Sequence, residues 1–175
     1  MERHIFIVSG IPGVGKTTVS GVLARRFDRG VHLEADIFQK LIVTGGLFPD
    51  KEPEEEAWRQ LRLRSKHVAM LADSFLENGF WPVIDDVVVG LRLIEVLEDI
   101  KSRPLYFVLL LPSLAVVEQR DRTRDEKHVF DIWSHLDEVA RKETPKQGLW
   151  LDSSAMSAEE TVDEILRRTD EALVE

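Results

Sequence analysis

The run Ser9-Gly10-Ile11-Pro12-Gly13-Val14-Gly15-Lys16-Thr17-Thr18 carries the spacing G-x-x-x-x-G-K-[ST]. Each residue type has a physical reason to be there. Glycines let backbone N–H groups converge on phosphate oxygens, and a helix opening at the lysine adds positive potential. The lysine reaches the outer phosphates, and the first threonine hydroxyl suits Mg²⁺. Gly10, Gly13 and Gly15 therefore serve the backbone, with Ile11, Pro12, Val14 and Thr18 completing the cradle. Lys16 supplies charge and Thr17 a metal ligand. The bland alternative is a glycine-rich turn with an incidental lysine. Against it, a strand-like apolar run at 5–9 precedes the loop and a helical pattern of Val19, Val22, Leu23 and Phe27 follows it. A nucleoside triphosphate with Mg²⁺ is the expected ligand.

Carboxylates stand where other strand patterns end. Asp36 closes the run Val31-His32-Leu33-Glu34-Ala35, and the carboxyl ends of parallel strands face the ligand crevice. There it would accept or orient the proton of an acceptor hydroxyl and touch the substrate. The competing reading makes it the N-cap of a helix starting at Ile37; Glu34 is the weaker base candidate. A third run, Trp81 to Ile84, ends in Asp85-Asp86. Asp85 would hold Mg²⁺ directly or through water, while Asp86, on the opposite side of the pleat, would face the acceptor. The two roles are exchangeable on this pattern, and strand-end acids that only cap a helix are the alternative.

Arg120 and Arg124 fall at i and i+4, on one face if helical. Planar guanidinium groups stack on adenine and bind phosphate oxygens in pairs, so these two would close over ATP and act in catalysis. The plain alternative is a solvated helix whose acids and bases pair with each other, the favoured reading for Arg122. His67, His128 and His135 show no metal-ligand spacing. Leu47, Phe48, Trp58 and Trp133 are candidates for an apolar acceptor wall, although Trp58 sits in a helical stripe and reads first as core.

These side chains need a frame, and the apolar pattern supplies one. Strand-like runs at 5–9, 31–35, 81–84, 105–111 and 149–152 alternate with helical patterns, which predicts an α/β fold with a parallel sheet buried on both faces. The predicted helical faces are Trp58, Leu61, Ser65, Val68, Ala72 and Phe75, ending near Gly79; Leu91, Ile94 and Leu97; Ile132, Leu136 and Val139; and Val162, Ile165, Leu166 and Thr169, with Ser157 as a start signal. Residues 44–56 and 120–131 fit neither period and read as covers over a site. The acidic stretch 50–56 reads as a solvated helix start.

The chain's 175 residues, 43% hydrophobic and 31% charged, suit one domain with a substantial core. A net charge of −9 argues against broad attraction to nucleic acid or anionic lipid, and the absence of cysteine removes thiolate and disulfide chemistry. The N-terminal run is too short for a signal peptide, and no apolar window approaches membrane-spanning length, so a cytoplasmic, soluble protein is expected. A GTPase would normally carry Asn-Lys-x-Asp, and the only asparagine is Asn78. A transporter-type ATPase would need a Leu-Ser-Gly-Gly-Gln-like signature. A small kinase remains.

Over essentially its whole length the chain resembles the P-loop small-molecule kinases of the shikimate, gluconate and adenylate kinase group. The likeness rests on Gly10 to Thr18, Asp36, Arg120 with Arg124, and Gly148-Leu149-Trp150-Leu151-Asp152-Ser153-Ser154. Val83-Ile84-Asp85-Asp86-Val87 and residues 120–124 are similar to segments of chloramphenicol phosphotransferase-like proteins. The resemblance implies a P-loop NTPase fold with a five-stranded parallel sheet of order 2-3-1-4-5, ATP as donor, and a small hydroxylated acceptor, an antibiotic among the candidates. It implies one domain over 1–175, an acceptor-binding segment at about 37–62 and a lid at about 120–131. A small-molecule acceptor is the expected partner, with no nucleic acid and no membrane; a homodimer is compatible. The alternatives are a nucleotide, sugar-acid or nucleic-acid 5′-end kinase, and a regulatory protein that holds ATP without transferring phosphate.

Overall fold

The structure, a computed structural model, describes residues 3–123 and 129–174. Five strands, β1 (Ile5–Ser9), β2 (Gly30–Glu34), β3 (Trp81–Asp85), β4 (Leu105–Leu110) and β5 (Leu149–Leu151), form one parallel sheet in the order β2-β3-β1-β4-β5. Every residue of β1 is buried, as are five of the six in β4. Those runs are apolar without alternation because helices cover both faces of the sheet. Phe6 and Phe107 are the largest wholly buried side chains; truncating either to alanine would cost about 3–5 kcal/mol through lost contact and a residual cavity.

The helices are α1 (Lys16–Arg25), α2 (Ala35–Lys40), α3 (Glu54–Glu77), α4 (Arg92–Asp99), α5 (Leu114–Arg122), α6 (Phe130–Trp133), α7 (Leu136–Lys142), α8 (Ala158–Arg167) and α9 (Thr169–Ala172). Both α1 and α3 pack on β3, and their outer partners are α8 and α4 respectively. A capping box opens α8: Ser157 Oγ accepts from Glu160 N at 3.2 Å while the Glu160 carboxylate accepts from Ser157 N at 2.8 Å. In α3 the core-facing stripe is Ala57, Leu61, Ser65, Val68 and Ala72, and Glu54, Glu55 and Glu56 occupy its exposed first turn, where carboxylates favour the helix dipole.

Three expectations need correction. Trp58 lies one position off the α3 stripe and is 52% exposed, its indole N–H donating to Glu54 Oε1 at 3.1 Å. In α4 the buried residues are Leu93, Val96 and Leu97, whereas Leu91 and Ile94 face outward; two overlapping apolar stripes fit the same short segment, and packing selects the one continued by buried Ile100. The third pattern is no single helix: the chain breaks between α6 and α7, leaving Ile132 exposed.

The span between α2 and α3 is held by two buried amides. Gln39 Nε2 donates to the Leu47 carbonyl at 2.7 Å and to Gln60 Oε1 at 3.1 Å. Gln60 accepts from Leu47 N at 2.7 Å and donates to the Gly45 carbonyl at 2.8 Å.

Candidate active site

Register places the chemistry. Glu34 pairs with Asp85 and Asp85 with Val8 across three parallel strands, so the exits of β1, β2 and β3 lie at one edge of the sheet. Ser9 Oγ donates to the Val88 carbonyl at 2.8 Å and accepts from Val88 N at 2.9 Å, tying the exits of β1 and β3 together. The result is a cleft of about 160 Å³ lined by the phosphate-loop residues Pro12, Gly13, Gly15, Lys16 and Thr17 and by Glu34, Asp36, Asp85, Asp86, Val87 and Val129.

The loop's backbone is built for close approach. Gly10, Gly13 and Gly15 all have positive φ, and a Cβ on Gly10 would stand 2.7 Å from the Leu110 carbonyl oxygen, a position only glycine fills without displacement. Lys16 opens α1 and its ammonium donates to the Ile11 carbonyl at 3.1 Å, folded across the loop it would share with phosphates. Arg120, near the end of α5, donates to the Val14 carbonyl at 3.0 Å and the Ser153 carbonyl at 3.2 Å, which sets its guanidinium against the outer side of the same loop. Arg122 instead pairs with Glu118 on the surface, the plain alternative weighed for it. Arg124 lies outside the described residues. Asp121, buried beside them, accepts from Val129 N at 3.0 and 3.1 Å and from Phe130 N at 3.1 Å, fixing Val129 at the cleft.

The same cleft is lined by a bank of carboxylates. Asp36 does not cap α2: the N-cap is Glu34, and no side chain caps that end. Its carboxylate instead accepts from Arg64 Nη1 at 2.8 Å and is 60% exposed. Asp85 and Asp86 border the same cleft rather than opposite sides, because the strand pleat ends at Asp85. Asp86 is clamped between Arg64 Nη2 at 2.6 Å and Arg92 Nη2 at 2.7 Å, and accepts from Val87 N at 2.8 Å. Burial pushes its pKa up, but Arg92 and Arg64 outweigh burial and hold the carboxyl below the ordinary aspartate value. Arg92 also donates to Ser65 Oγ at 2.7 Å and to the Val87 carbonyl.

Arg64 and Arg92 were not among the sequence candidates. A signal for Arg64 existed: it occupies the core side of α3, between Leu61 and Val68, and a cation there must find a buried carboxylate.

Asp85 Oδ2 is buried and accepts no hydrogen bond among the described residues; the buried His32 Nε2 stands 3.5 Å from it, at ion-pair rather than hydrogen-bond geometry. A hard cation between Asp85 and the exposed Thr17 hydroxyl fits that donor set. Among the described residues no three His, Asp or Glu side chains converge on a single metal position, so such an ion would draw other ligands from phosphate and water.

Phosphate loop, strand order and cleft together define the fold of the P-loop small-molecule kinases. Its solved relatives include an unliganded sugar kinase from Janibacter sp. HTCC2649 (20% identical, TM-score 0.69, covering 98% of this chain and 96% of that one). A tunicamycin resistance protein from Deinococcus radiodurans is similar over 99% of both chains, with 18% identity and a TM-score of 0.67. In sequence, 121 residues are 33% identical to a UPF0200 protein of Aeropyrum pernix, a match covering 68% of this chain and 62% of that protein. No protein-family model matches the chain. Among the described residues no helix is long and apolar enough to cross a membrane.

Proposed function

We propose that the protein is an ATP-dependent phosphotransferase that moves the γ-phosphoryl group to a hydroxyl of a small molecule. The observation that carries this reading is the shared cleft: the glycine-rich loop and Asp36, whose accessible carboxylate is held by Arg64, line one cavity. Binding alone needs no oriented base opposite the phosphates.

In the reaction, the acceptor hydroxyl gives its proton to Asp36 while its oxygen forms a bond to the γ-phosphorus. The bond from that phosphorus to the bridging oxygen breaks, and its electron pair leaves on ADP. Lys16 and the loop N–H groups carry the negative charge of the transferring group, with Gly10 to Thr18 holding the nucleotide. Arg120 stabilises the outer side of the loop through its bonds to the Val14 and Ser153 carbonyls; the lid expected at about 120–131 falls partly outside the described residues. Mg²⁺ held by Thr17 and Asp85 would neutralise phosphate charge when bound. Residues 37–62 form the acceptor side.

The test is ATP consumption against a panel of hydroxylated antibiotics, sugars, sugar acids, cyclitols and nucleosides, with mass spectrometry of every hit. A gain of one phosphate on a compound supports the reading. Tight ATP binding with no phosphorylated product across the panel favours a regulatory ATP-binding protein. Asp36→Ala is expected to lower turnover at least a hundredfold with ATP affinity nearly unchanged; unchanged turnover removes Asp36 from the mechanism.

A further inference from the structure

The acceptor wall has an unusual charge arrangement. Its cleft-facing groups are Glu34, Asp36, Asp85 and Asp86, and among the described residues the only lysine or arginine bordering the cleft is Lys16, on the phosphate side. Two more cations stand behind the wall, but both are committed. Arg64, 5% exposed, spends Nη1 on Asp36 and Nη2 on Asp86, while Arg92 binds Asp86, Ser65 and the Val87 carbonyl. An anionic acceptor entering here would meet carboxylates first, with Arg64 and Arg92 behind them already committed. Glu34, by contrast, is half-buried on the cleft, and among the described residues its carboxylate has no hydrogen-bond or ion-pair partner. Asp85 Oδ2, beside it on a side chain 96% buried, accepts no hydrogen bond and has His32 Nε2 3.5 Å away. The carboxylates do not converge as a shared metal site, so a single metal ion does not account for all of them. A carboxylate withdrawn from water is stabilised by a cationic donor.

We propose that the acceptor is a hydroxyl compound bearing a basic amine, with Glu34 receiving the ammonium group, and that Asp86 excludes carboxylate and phosphate-ester acceptors by occupying Arg64. This rests on the phosphotransfer reading for the identity of the cleft, but its content is the charge selection of one wall.

The experiment uses the full chain saturated with MgADP and two sets of probes matched in framework: glucosamine, glucose and glucuronate, and an aminocyclitol, inositol and shikimate. Calorimetry reads binding, and mass spectrometry after exchange into MgATP reads transfer. In at least one set the amine should bind about tenfold or more tightly than its neutral counterpart, and the carboxylate more weakly than both. Glu34→Gln should erase that tenfold margin, and Asp86→Asn should admit the carboxylate member. Circular dichroism reports whether each variant is folded, and the Glu34→Gln result decides alone if Asp86→Asn is not. The proposal is overturned if a carboxylate probe equals or exceeds its amine, if no amine binds better than its neutral partner, or if Glu34→Gln leaves the margin intact. Amine-selective binding with no transfer would sink the kinase reading and spare this one; transfer to a carboxylate acceptor would do the reverse.

Discussion

The two walls of the cleft are made in different ways. The wall proposed for phosphate is backbone: contiguous residues, three positive-φ glycines and a helix start. The wall proposed for the acceptor is side chain: Asp36, Arg64, Asp86 and Arg92 come from β3 and three helices or their edges, joined by charge pairs across 22 and 28 positions of sequence. A wall built from local backbone conformation tolerates few residue types but writes itself as a motif. One built from long-range ion pairs leaves no motif, because each member is an ordinary charged residue until the fold brings it to its partner.

The largest effect should come from breaking the backbone wall. Gly10→Ala places a methyl group against the Leu110 carbonyl and Val14 and should lower stability by about 2–4 kcal/mol, read by urea unfolding, with loss of ATP binding. Wild-type ATP affinity in this variant would show that the loop yields more easily than its contacts imply.

Breaking the charge wall comes next. Arg64→Leu leaves Asp86 buried with one guanidinium instead of two, and should cost about 3 kcal/mol; a double-mutant cycle with Asp86→Asn should recover part of that loss.

The same clamp predicts a pH dependence. Asp86 has a folded pKa below its ordinary 3.8, so its stabilisation is present above that value and is lost as pH falls through the folded pKa. Asp86→Asn should therefore flatten the acid limb of the stability curve below about pH 4, measured by denaturant titration at stepped pH. An acid limb as steep as the parent's would assign it to other carboxylates.

At the small end, Ser157→Ala removes the α8 capping box far from both walls and should cost about 1 kcal/mol without touching ATP affinity. Any change in acceptor discrimination there would blur the division between the walls.

That division also explains how much could be read from the chain. The five strands were legible because near-continuous apolar runs have few other uses, and their order is the one the resemblance to P-loop kinases implied. The loop at Gly10 to Thr18 was legible as a glycine-rich turn into a helix because its conformation is local. Asp36, Asp85 and Asp86 were visible as strand-end acids, but their partners were not: only the packing of α3 against β3 reveals that Arg64 meets two of them. Trp58 and the face of α4 were misplaced for a related reason. A helical period with several apolar residues admits two neighbouring stripes, and the choice between them belongs to tertiary packing.

The glutamine pair between α2 and α3 has a consequence for how this protein diversifies. Gln39 and Gln60 grip the intervening span through its main chain at Gly45 and Leu47. Amide-to-backbone bonds make no demand on what side chains the span displays, and amides do not titrate. Only Gly46 lies between the two grips, Gly45 holds a positive φ, and a Cβ on Gly46 would stand 3.0 Å from the Ile42 carbonyl oxygen, so main chain fixes this turn and side-chain variety is left to the residues that flank it.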